Sequence, residues 1–218
     1  MTKRQTVLVD LIQPCKVFAD IGCDHGVMTQ AVLRLGKAQK VYATDISKPS
    51  LSKTEKLIAG EFDSSVTLLC CDGFSLIPEI VDQALIAGMG GEEICHVLSD
   101  CKHLPNRLIL QPMKNSEKLR RLLFDFGYGI TRDFTFYDGD KFYDVIVAEK
   151  SAKVSEYSPV EYAFGRDNVK DKSADFLRFA KSKLAVIQTA FEKASDDSEK
   201  EKLLSELRLL REIINENI

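Results

Sequence analysis

The chain has 218 residues, of which 44% are hydrophobic and 29% charged, and its formal net charge is −3. It is long enough for one good-sized core plus an appendage, and its composition is that of a globular protein. No run of about 18 apolar residues occurs, so we expect no membrane span, and we expect no signal peptide at the N-terminus. Six cysteines without a regular framework favour reduced thiols and a cytoplasmic protein. The net charge argues against attraction of the whole surface to nucleic acid.

Apolar runs alternate with helical spacing through the first 126 residues. The predicted strands cover residues 16–20, 40–45, 65–70, 83–87 and 107–111. The predicted helices cover residues 3–13, 25–35, 47–60 and 116–126, with another that ends at residue 98. Strands that alternate with helices predict a parallel sheet covered by helices.

The pattern changes after residue 127. Two strand-like runs, 130–137 and 142–149, are joined by residues 138–141, whose Asp-Gly-Asp-Lys sequence is a hairpin signal. A closing hairpin adds an antiparallel edge, as in a methyltransferase-type sheet and unlike a two-half nicotinamide fold. The predicted fold class is therefore α/β, with a Rossmann-like seven-stranded methyltransferase sheet.

The C-terminal part has a different periodicity. Residues 151–168 are polar and mixed, and we expect a connector there. Apolar residues then recur at alternating spacings of four and three: Ala180, Leu184, Ile187, Phe191 and Ala194, then Leu203, Leu207, Leu210 and Ile214. This predicts an antiparallel helical hairpin with a coiled-coil seam. The predicted domains are residues 1–155 and 156–218.

A glycine turn follows the first predicted strand. Gly22 and Gly26 frame it, and Asp24 stands where the second glycine of a nicotinamide fingerprint would be. A carboxylate there would repel a pyrophosphate, which favours an adenosine-bearing ligand without phosphate, such as S-adenosylmethionine. The alternative is a tight strand–helix turn with a capping Asp.

Acids also follow the next two strands. Asp45 stands where an acid commonly accepts ribose hydroxyls, although it could instead cap the next helix, a role that Ser47 fills more naturally. Asp72 and Gly73 could meet an adenine ring or form a plain turn. Gly88-Met89-Gly90-Gly91 permits close approach of backbone to ligands. No Asn/Asp-Pro-Pro-Tyr motif is present, which weighs against methylation of an exocyclic amine and leaves ring nitrogens open.

Two other groups of side chains have competing interpretations. Four residues could suggest a metal site, but they contain no C-x-x-C pair, so we predict no metal: Cys95, His96, Cys101 and His103. Basic residues in the C-terminal part form either a solvated helix face or an arm that grips phosphates: Lys170, Lys172, Arg178, Lys181 and Lys183.

Taken in order, the motifs DIGCDHG, TDIS, CCDG, AGMGG, RLILQP and DGDKFYDVIVAEK resemble the bacterial tRNA (adenine(22)-N1)-methyltransferase family over roughly residues 1–150. The resemblance implies S-adenosylmethionine as cofactor and methyl transfer to N1 of adenine 22 in the D-arm of tRNA. It also implies a C-terminal coiled-coil domain that helps to grip tRNA. Two places depart from the family pattern: Met113 follows Pro112, and residues 26–29 read Gly-Val-Met-Thr.

The site follows from these motifs and the resemblance, with Asp24 as the catalytic candidate. The predicted cofactor-binding residues are Asp20, Gly22, Asp24, His25, Asp45, Ile46, Asp72, Gly73, Ala87, Gly88 and Met89. The predicted substrate-binding residues are Gly90, Gly91, Gln111, Pro112, Lys170, Lys172, Arg178, Lys181 and Lys183.

Two other functions are compatible with the sequence. One is an S-adenosylmethionine-dependent methyltransferase of a small molecule or protein, and the other is a non-enzymatic, cofactor-sensing RNA-binding module. With tRNA as the partner, we expect a cytoplasmic monomer that binds neither metal nor membrane.

Overall fold

A computed structural model describes residues 1–62, 64–150 and 152–215. Its strands are β1 (Cys15–Ile21), β2 (Ala38–Asp45), β3 (Val66–Cys70), β4 (Gln83–Ala87), β5 (Arg107–Gln111), β6 (Gly129–Asp138) and β7 (Lys141–Glu149). Its helices are α1 (Lys3–Leu11), α2 (Val27–Arg34), α3 (Lys48–Ile58), α4 (Gly91–Ser99), α5 (Ser116–Asp125), α6 (Pro159–Phe164), α7 (Arg166–Asp171), α8 (Ala174–Lys193) and α9 (Asp197–Asn215). None of the helices in these ranges is long and apolar enough to cross a membrane.

The strands form one mixed sheet in the order β3-β2-β1-β4-β5-β7-β6. β1 pairs in parallel with both β2 and β4, and β4 pairs in parallel with β5, whereas β7 lies antiparallel to β5. The predicted Rossmann-like methyltransferase sheet is confirmed. Because the chain crosses from one side of β1 to the other after β3, the loops at the carboxyl ends of β1 and β4 diverge and leave a crevice, where such sheets bind ligands.

The strand ends that face this crevice are well anchored. The last four residues of β1 are buried, and Phe18 and Ala19 have no exposed surface. Ser47 accepts a hydrogen bond from the Ser50 backbone N–H at 3.3 Å, so it caps α3 as the sequence predicts. The crevice is therefore built on rigid core strands, with irregular backbone confined to the connecting loops.

Helix α5 is tied to β6 by a fully buried ion pair. Arg120 of α5 donates to both carboxylate oxygens of Asp133, with Nε–Oδ2 and Nη2–Oδ1 distances of 2.9 Å. Arg120 is 0% exposed and Asp133 is 1% exposed. Two parallel hydrogen bonds between planar groups fix the orientation of both elements.

The chain divides into two compact units. The first unit contains Met1–Asp133 and Tyr143–Glu156, and the second contains the hairpin tip Phe134–Phe142 together with the chain from Tyr157 onwards. In the second unit the tip is held by the later helices, since the Thr135 backbone N–H donates to Asn168 Oδ1 at 2.8 Å. The predicted domains, residues 1–155 and 156–218, stay predictions.

Helices α8 and α9 pack against one another in the second unit. Their shared core contains Phe176, Ala180, Ile187, Leu207 and Leu210. The coiled-coil character of this seam stays a prediction.

The connector predicted over 151–168 is wrong for residues 159–164 and 166–168, which lie in α6 and α7; residue 151 lies outside the described residues. Helices α6 and α7 are short, and the N-terminus of α6 is well capped. Ser158 and Glu161 make a capping box around Pro159. Gly165, with φ of +92°, separates the two helices, so each is too short to show apolar periodicity in the sequence.

Candidate active site

A cavity of about 740 Å³ opens at the carboxyl ends of β1 to β4. It falls in the size range of small-molecule and cofactor sites. Every residue predicted to bind the cofactor lines it: Asp20, Gly22, Asp24, His25, Asp45, Ile46, Asp72, Gly73, Ala87, Gly88 and Met89. The structure thus brings together residues that lie on four separate loops, while their individual roles stay predictions.

The turn after β1 depends on left-handed backbone. Gly22 has φ of +69°, and a Cβ added there would lie 2.2 Å from Met89 Cε. The Gly22 and Cys23 backbone N–H groups both donate to the Thr44 carbonyl, at 2.8 and 2.9 Å. The left-handed backbone therefore favours glycine at position 22, and an added side chain would also displace the flexible tip of Met89.

Asp45 links two of the cavity loops. One of its oxygens, Oδ2, accepts the Asp24 backbone N–H at 3.0 Å, and Oδ1 accepts the Ser47 backbone N–H at 2.8 Å. These bonds fix a half-buried carboxylate at the end of β2, and each oxygen keeps a lone pair. The geometry fits acceptance of ribose hydroxyls.

Asp24 is held in an unusual conformation at the rim. It is a non-glycine residue with φ of +47°. Its Oδ2 lies 2.7 Å from His25 Nδ1, and His25 Nε2 lies 2.8 Å from Lys53 Nζ. A lysine ammonium can only donate, so Nε2 accepts and the Nδ1–H donates to Asp24. The chain of three side chains therefore orients the Asp24 carboxylate.

Asp20 forms the floor of the cavity. It is 4% exposed and accepts a 2.6 Å hydrogen bond from the Thr29 hydroxyl. Burial raises the pKa of Asp20 to about 6, an effect that the Thr29 hydrogen bonds oppose. A cationic group entering the cavity would favour the ionised form of this carboxylate.

The predicted substrate-binding residues near the β4 and β5 loops have clear structural contacts. The Gly91 N–H donates to the Lys114 carbonyl at 2.8 Å, and a Cβ on Gly91 would lie 2.4 Å from the Asn115 carbonyl oxygen. Gln111 and Pro112 are buried, and Gly90 is the N-cap of α4. A direct contact of these residues with a substrate stays a prediction.

The predicted basic residues belong to the second unit, and three of them contact their own unit. Arg178 lies over the Tyr137 ring at 4.1 Å, Lys183 pairs with Glu206, and Lys172 Nζ donates to the Ile213 carbonyl. Lys170 and Lys181 are exposed.

Arg4, Glu93 and His96 also line the cavity, and none of them was predicted to belong to this site. Glu93 and His96 stand three residues apart on α4, directly after the glycine loop, and that spacing was a usable signal. Arg4 lies in α1, before β1, and no local sequence pattern identifies it as a cavity-lining residue. Within the described ranges, no group of three or more His, Cys, Asp and Glu side chains is placed to hold a metal ion.

The sheet order, the antiparallel β7 and the acidic cavity at the carboxyl ends of the strands define a Rossmann-like methyltransferase. A family model described as a methyltransferase domain matches residues 1–146, and the chain belongs to this family.

Individual relatives agree over the full length. The tRNA (adenine(22)-N(1))-methyltransferase of Bacillus subtilis strain 168 is 29% identical over 231 residues, covering 99% of this chain and 97% of that protein. The crystal structure of the B. subtilis M1A22 tRNA methyltransferase TrmK is 26% identical, covers 98% of both chains and has a TM-score of 0.86. M. capricolum TrmK in complex with S-adenosylhomocysteine is 18% identical, covers 99% of this chain and 98% of its own, and supports the fold with a TM-score of 0.92. The resemblance to the tRNA (adenine(22)-N1)-methyltransferase family is confirmed.

Proposed function

We propose that this chain transfers a methyl group from S-adenosylmethionine to N1 of adenine 22 in tRNA. The observation that carries the proposal is the set of carboxylates at three successive strand ends, Asp24, Asp45 and Asp72, around one cavity beside Gly88. The full-length similarity to the B. subtilis enzyme supports tRNA as the substrate.

The residues present fit the cofactor. The left-handed turn at Gly22 brings backbone without a side chain to the cavity wall, and Asp45 offers two fixed acceptor oxygens. Asp72 lies at the rim where an adenine amino group could donate to it. When bound, S-adenosylmethionine supplies an electrophilic methyl group on a sulfonium.

The protein's main task is to position the target base. The N1 lone pair of adenine is nucleophilic without activation, so in-line placement is the principal requirement. Because N1 belongs to the Watson–Crick edge, the adenine must leave any base pair and its stack. Methylation makes the base cationic, and Asp24 would stabilise the developing charge or accept a proton from N6.

The reaction is tested with an unmodified tRNA transcript and methyl-labelled S-adenosylmethionine. We expect label in the tRNA and a reverse-transcription stop at adenine 22, because N1-methyladenine cannot form a Watson–Crick pair. A transcript with guanine at position 22 is the control and should remain unlabelled. Label found only on protein or on small molecules would contradict the proposal and favour a methyltransferase of another substrate.

Asp24→Asn tests the proposed role of Asp24. Asn tolerates the left-handed backbone, so the turn should persist while the charge is lost. We expect methyl transfer to fall by about 10²–10³-fold, the usual effect of losing a group that stabilises transition-state charge. The matched control is Glu55→Gln, an exposed acid on α3. Turnover near that of the wild type, with folding intact, would remove Asp24 from the mechanism.

We further propose that the second unit grips tRNA through Lys170 and Lys181, which are exposed and free to reach phosphates. Reversing both charges should raise KM for tRNA and flatten its salt dependence, because each lost phosphate contact lowers the salt slope by about 1. Binding of S-adenosylhomocysteine should not change, and unchanged KM and salt slope would contradict this role. We propose a cytoplasmic location, where tRNA is available, and a monomer, whose test is the mass in solution by light scattering.

A further inference from the structure

Arg4 of α1 lies at the cavity end of β4 and β5. Its Nε donates to Gln111 Oε1 at 2.7 Å, and its guanidinium carbon lies 5.5 Å from the centroid of the Tyr143 ring. A Cβ built on Gly88 would lie 3.1 Å from Arg4 Nη2. The guanidinium is therefore half-buried beside Gly88 and contributes to the cavity wall.

Gln111 fixes the direction of this guanidinium. The Gln111 side chain is 0% exposed, and its Nε2 donates to the Pro112 carbonyl at 3.1 Å and to Met113 Sδ at 3.3 Å. Because the Gln111 amide nitrogen donates to these two acceptors, the Gln111 amide oxygen faces Arg4. Gln111 thus acts as a positioning residue for Arg4.

The charge of the cavity makes Arg4 exceptional. Carboxylates line the cavity at five positions: Asp20, Asp24, Asp45, Asp72 and Glu93. Among the cavity-lining residues in the described part of the chain, Arg4 is the only Arg or Lys. Burial lowers the pKa of Arg4, yet an arginine stays charged at neutral pH. An anionic group of a ligand in this cavity has one permanent cation to meet.

We propose that Arg4 binds the carboxylate of the amino-acid part of the cofactor, in an orientation set by Gln111. The inference rests on the proposed use of S-adenosylmethionine. Asp45 and Asp72, at the ends of β2 and β3, take the adenosine, and Arg4 lies beyond β1 at the end of β4, so the amino-acid part extends across β1. A guanidinium can donate two parallel hydrogen bonds to a carboxylate.

Binding of two ligands distinguishes recognition of the carboxylate by Arg4 from other roles of this residue. S-adenosylhomocysteine carries the amino-acid carboxylate, whereas 5′-methylthioadenosine keeps the adenosine and lacks the whole amino-acid part. Calorimetric titration of Arg4→Gln should show about 10–100-fold weaker binding of S-adenosylhomocysteine, the effect of a lost charge-assisted bond, and unchanged binding of 5′-methylthioadenosine. Gln111→Leu should give a smaller loss for S-adenosylhomocysteine only. Arg34→Gln, an exposed arginine paired with Glu61, is the control and should bind both ligands normally.

Other outcomes overturn the inference. Equal losses for both ligands would show that Arg4 only shapes the cavity. Normal binding of S-adenosylhomocysteine with a raised KM for tRNA would assign Arg4 to an RNA phosphate. If Arg4→Gln fails to fold, Arg4→Lys, which keeps charge but loses the fork, should still weaken S-adenosylhomocysteine selectively; unchanged affinity would contradict the role. A wild-type protein that binds neither ligand would instead refute the proposed function.

Discussion

Two buried carboxylates of the first unit are held in opposite ways. Asp133, inside the α5–β6 packing, receives a bidentate pair of hydrogen bonds from Arg120. Asp20, at the floor of the cavity, accepts the hydroxyl of Thr29, and its pKa is raised to about 6 by burial. The charge of Asp133 is compensated by an arginine of the fold, and we expect the charge of Asp20 to be compensated by a cationic group of a bound ligand.

The two carboxylates differ in how their buried charge affects the stability of the fold. A buried ion pair is strongly destabilising when one partner is removed, because the remaining charge is uncompensated. A buried carboxylate without a cation lowers stability at neutral pH, and such strain is tolerated mainly at functional sites. We therefore expect the buried Asp20 carboxylate to lower the stability of the free protein and to contribute to ligand binding, whereas we expect the Arg120–Asp133 pair to stabilise the fold.

The largest change in the free energy of unfolding is expected from breaking the Arg120–Asp133 ion pair. Arg120→Ala should lower the free energy of unfolding by about 3–5 kcal/mol, because the buried Asp133 charge loses its bidentate guanidinium partner. Arg121→Ala is the matched control, since Arg121 forms a half-exposed pair with Glu117 and should cost less than about 1 kcal/mol. Urea unfolding of both variants measures the difference. Equal losses for Arg120 and Arg121 would show that the buried pair does not stabilise the fold.

Removal of the Asp20 charge should instead raise the free energy of unfolding at neutral pH. The pKa of Asp20 is higher in the folded protein than in the unfolded chain, so the folded state binds more protons between about pH 4 and 6. The wild type therefore loses stability as pH rises through this window, and Asp20→Asn does not. The advantage of Asp20→Asn in free energy of unfolding should grow by about 2 kcal/mol from pH 4.5 to 7.5. Asp133→Asn should instead destabilise at pH 7.5, and parallel pH profiles for the two variants would contradict the comparison.

A smaller effect sharpens the same point. Thr29→Val keeps the shape of the side chain but removes the hydroxyl that donates to Asp20. It should cost about 1–3 kcal/mol at pH 7.5, as for a hydrogen bond to a charged group. The cost should shrink when Asp20 is already Asn, and a double-mutant cycle from urea unfolding measures this coupling. Additive costs would show that the hydroxyl does not serve the Asp20 charge.

Much of this fold could be predicted from local sequence patterns. Apolar runs predicted all seven strands, and the hairpin signal at residues 138–141 predicted the antiparallel edge. The cavity-lining residues that follow β1, β2, β3 and β4 were predictable for the same reason, since parallel strands place their carboxyl ends at one edge.

The remaining features depend on contacts between distant residues. Arg4 meets Gln111 across 107 positions, and His25 meets Lys53 across 28, so no spacing rule connects them. Helices α6 and α7 have six residues each, too few for periodicity to emerge. The buried state of Asp133 was equally hidden, because an acid in a strand gives no local sign of a guanidinium 13 residues earlier.

The central claim is that the cavity keeps its charge for the cofactor at the expense of stability. Thermal unfolding of wild type and Asp20→Asn at pH 7.5, each with and without saturating S-adenosylhomocysteine, tests it most directly. We expect Asp20→Asn to have the higher Tm without ligand and the smaller rise in Tm with ligand, because at a given ligand concentration the stabilisation grows with the logarithm of the affinity. A lower Tm without ligand, or a rise equal to that of the wild type, would contradict the account.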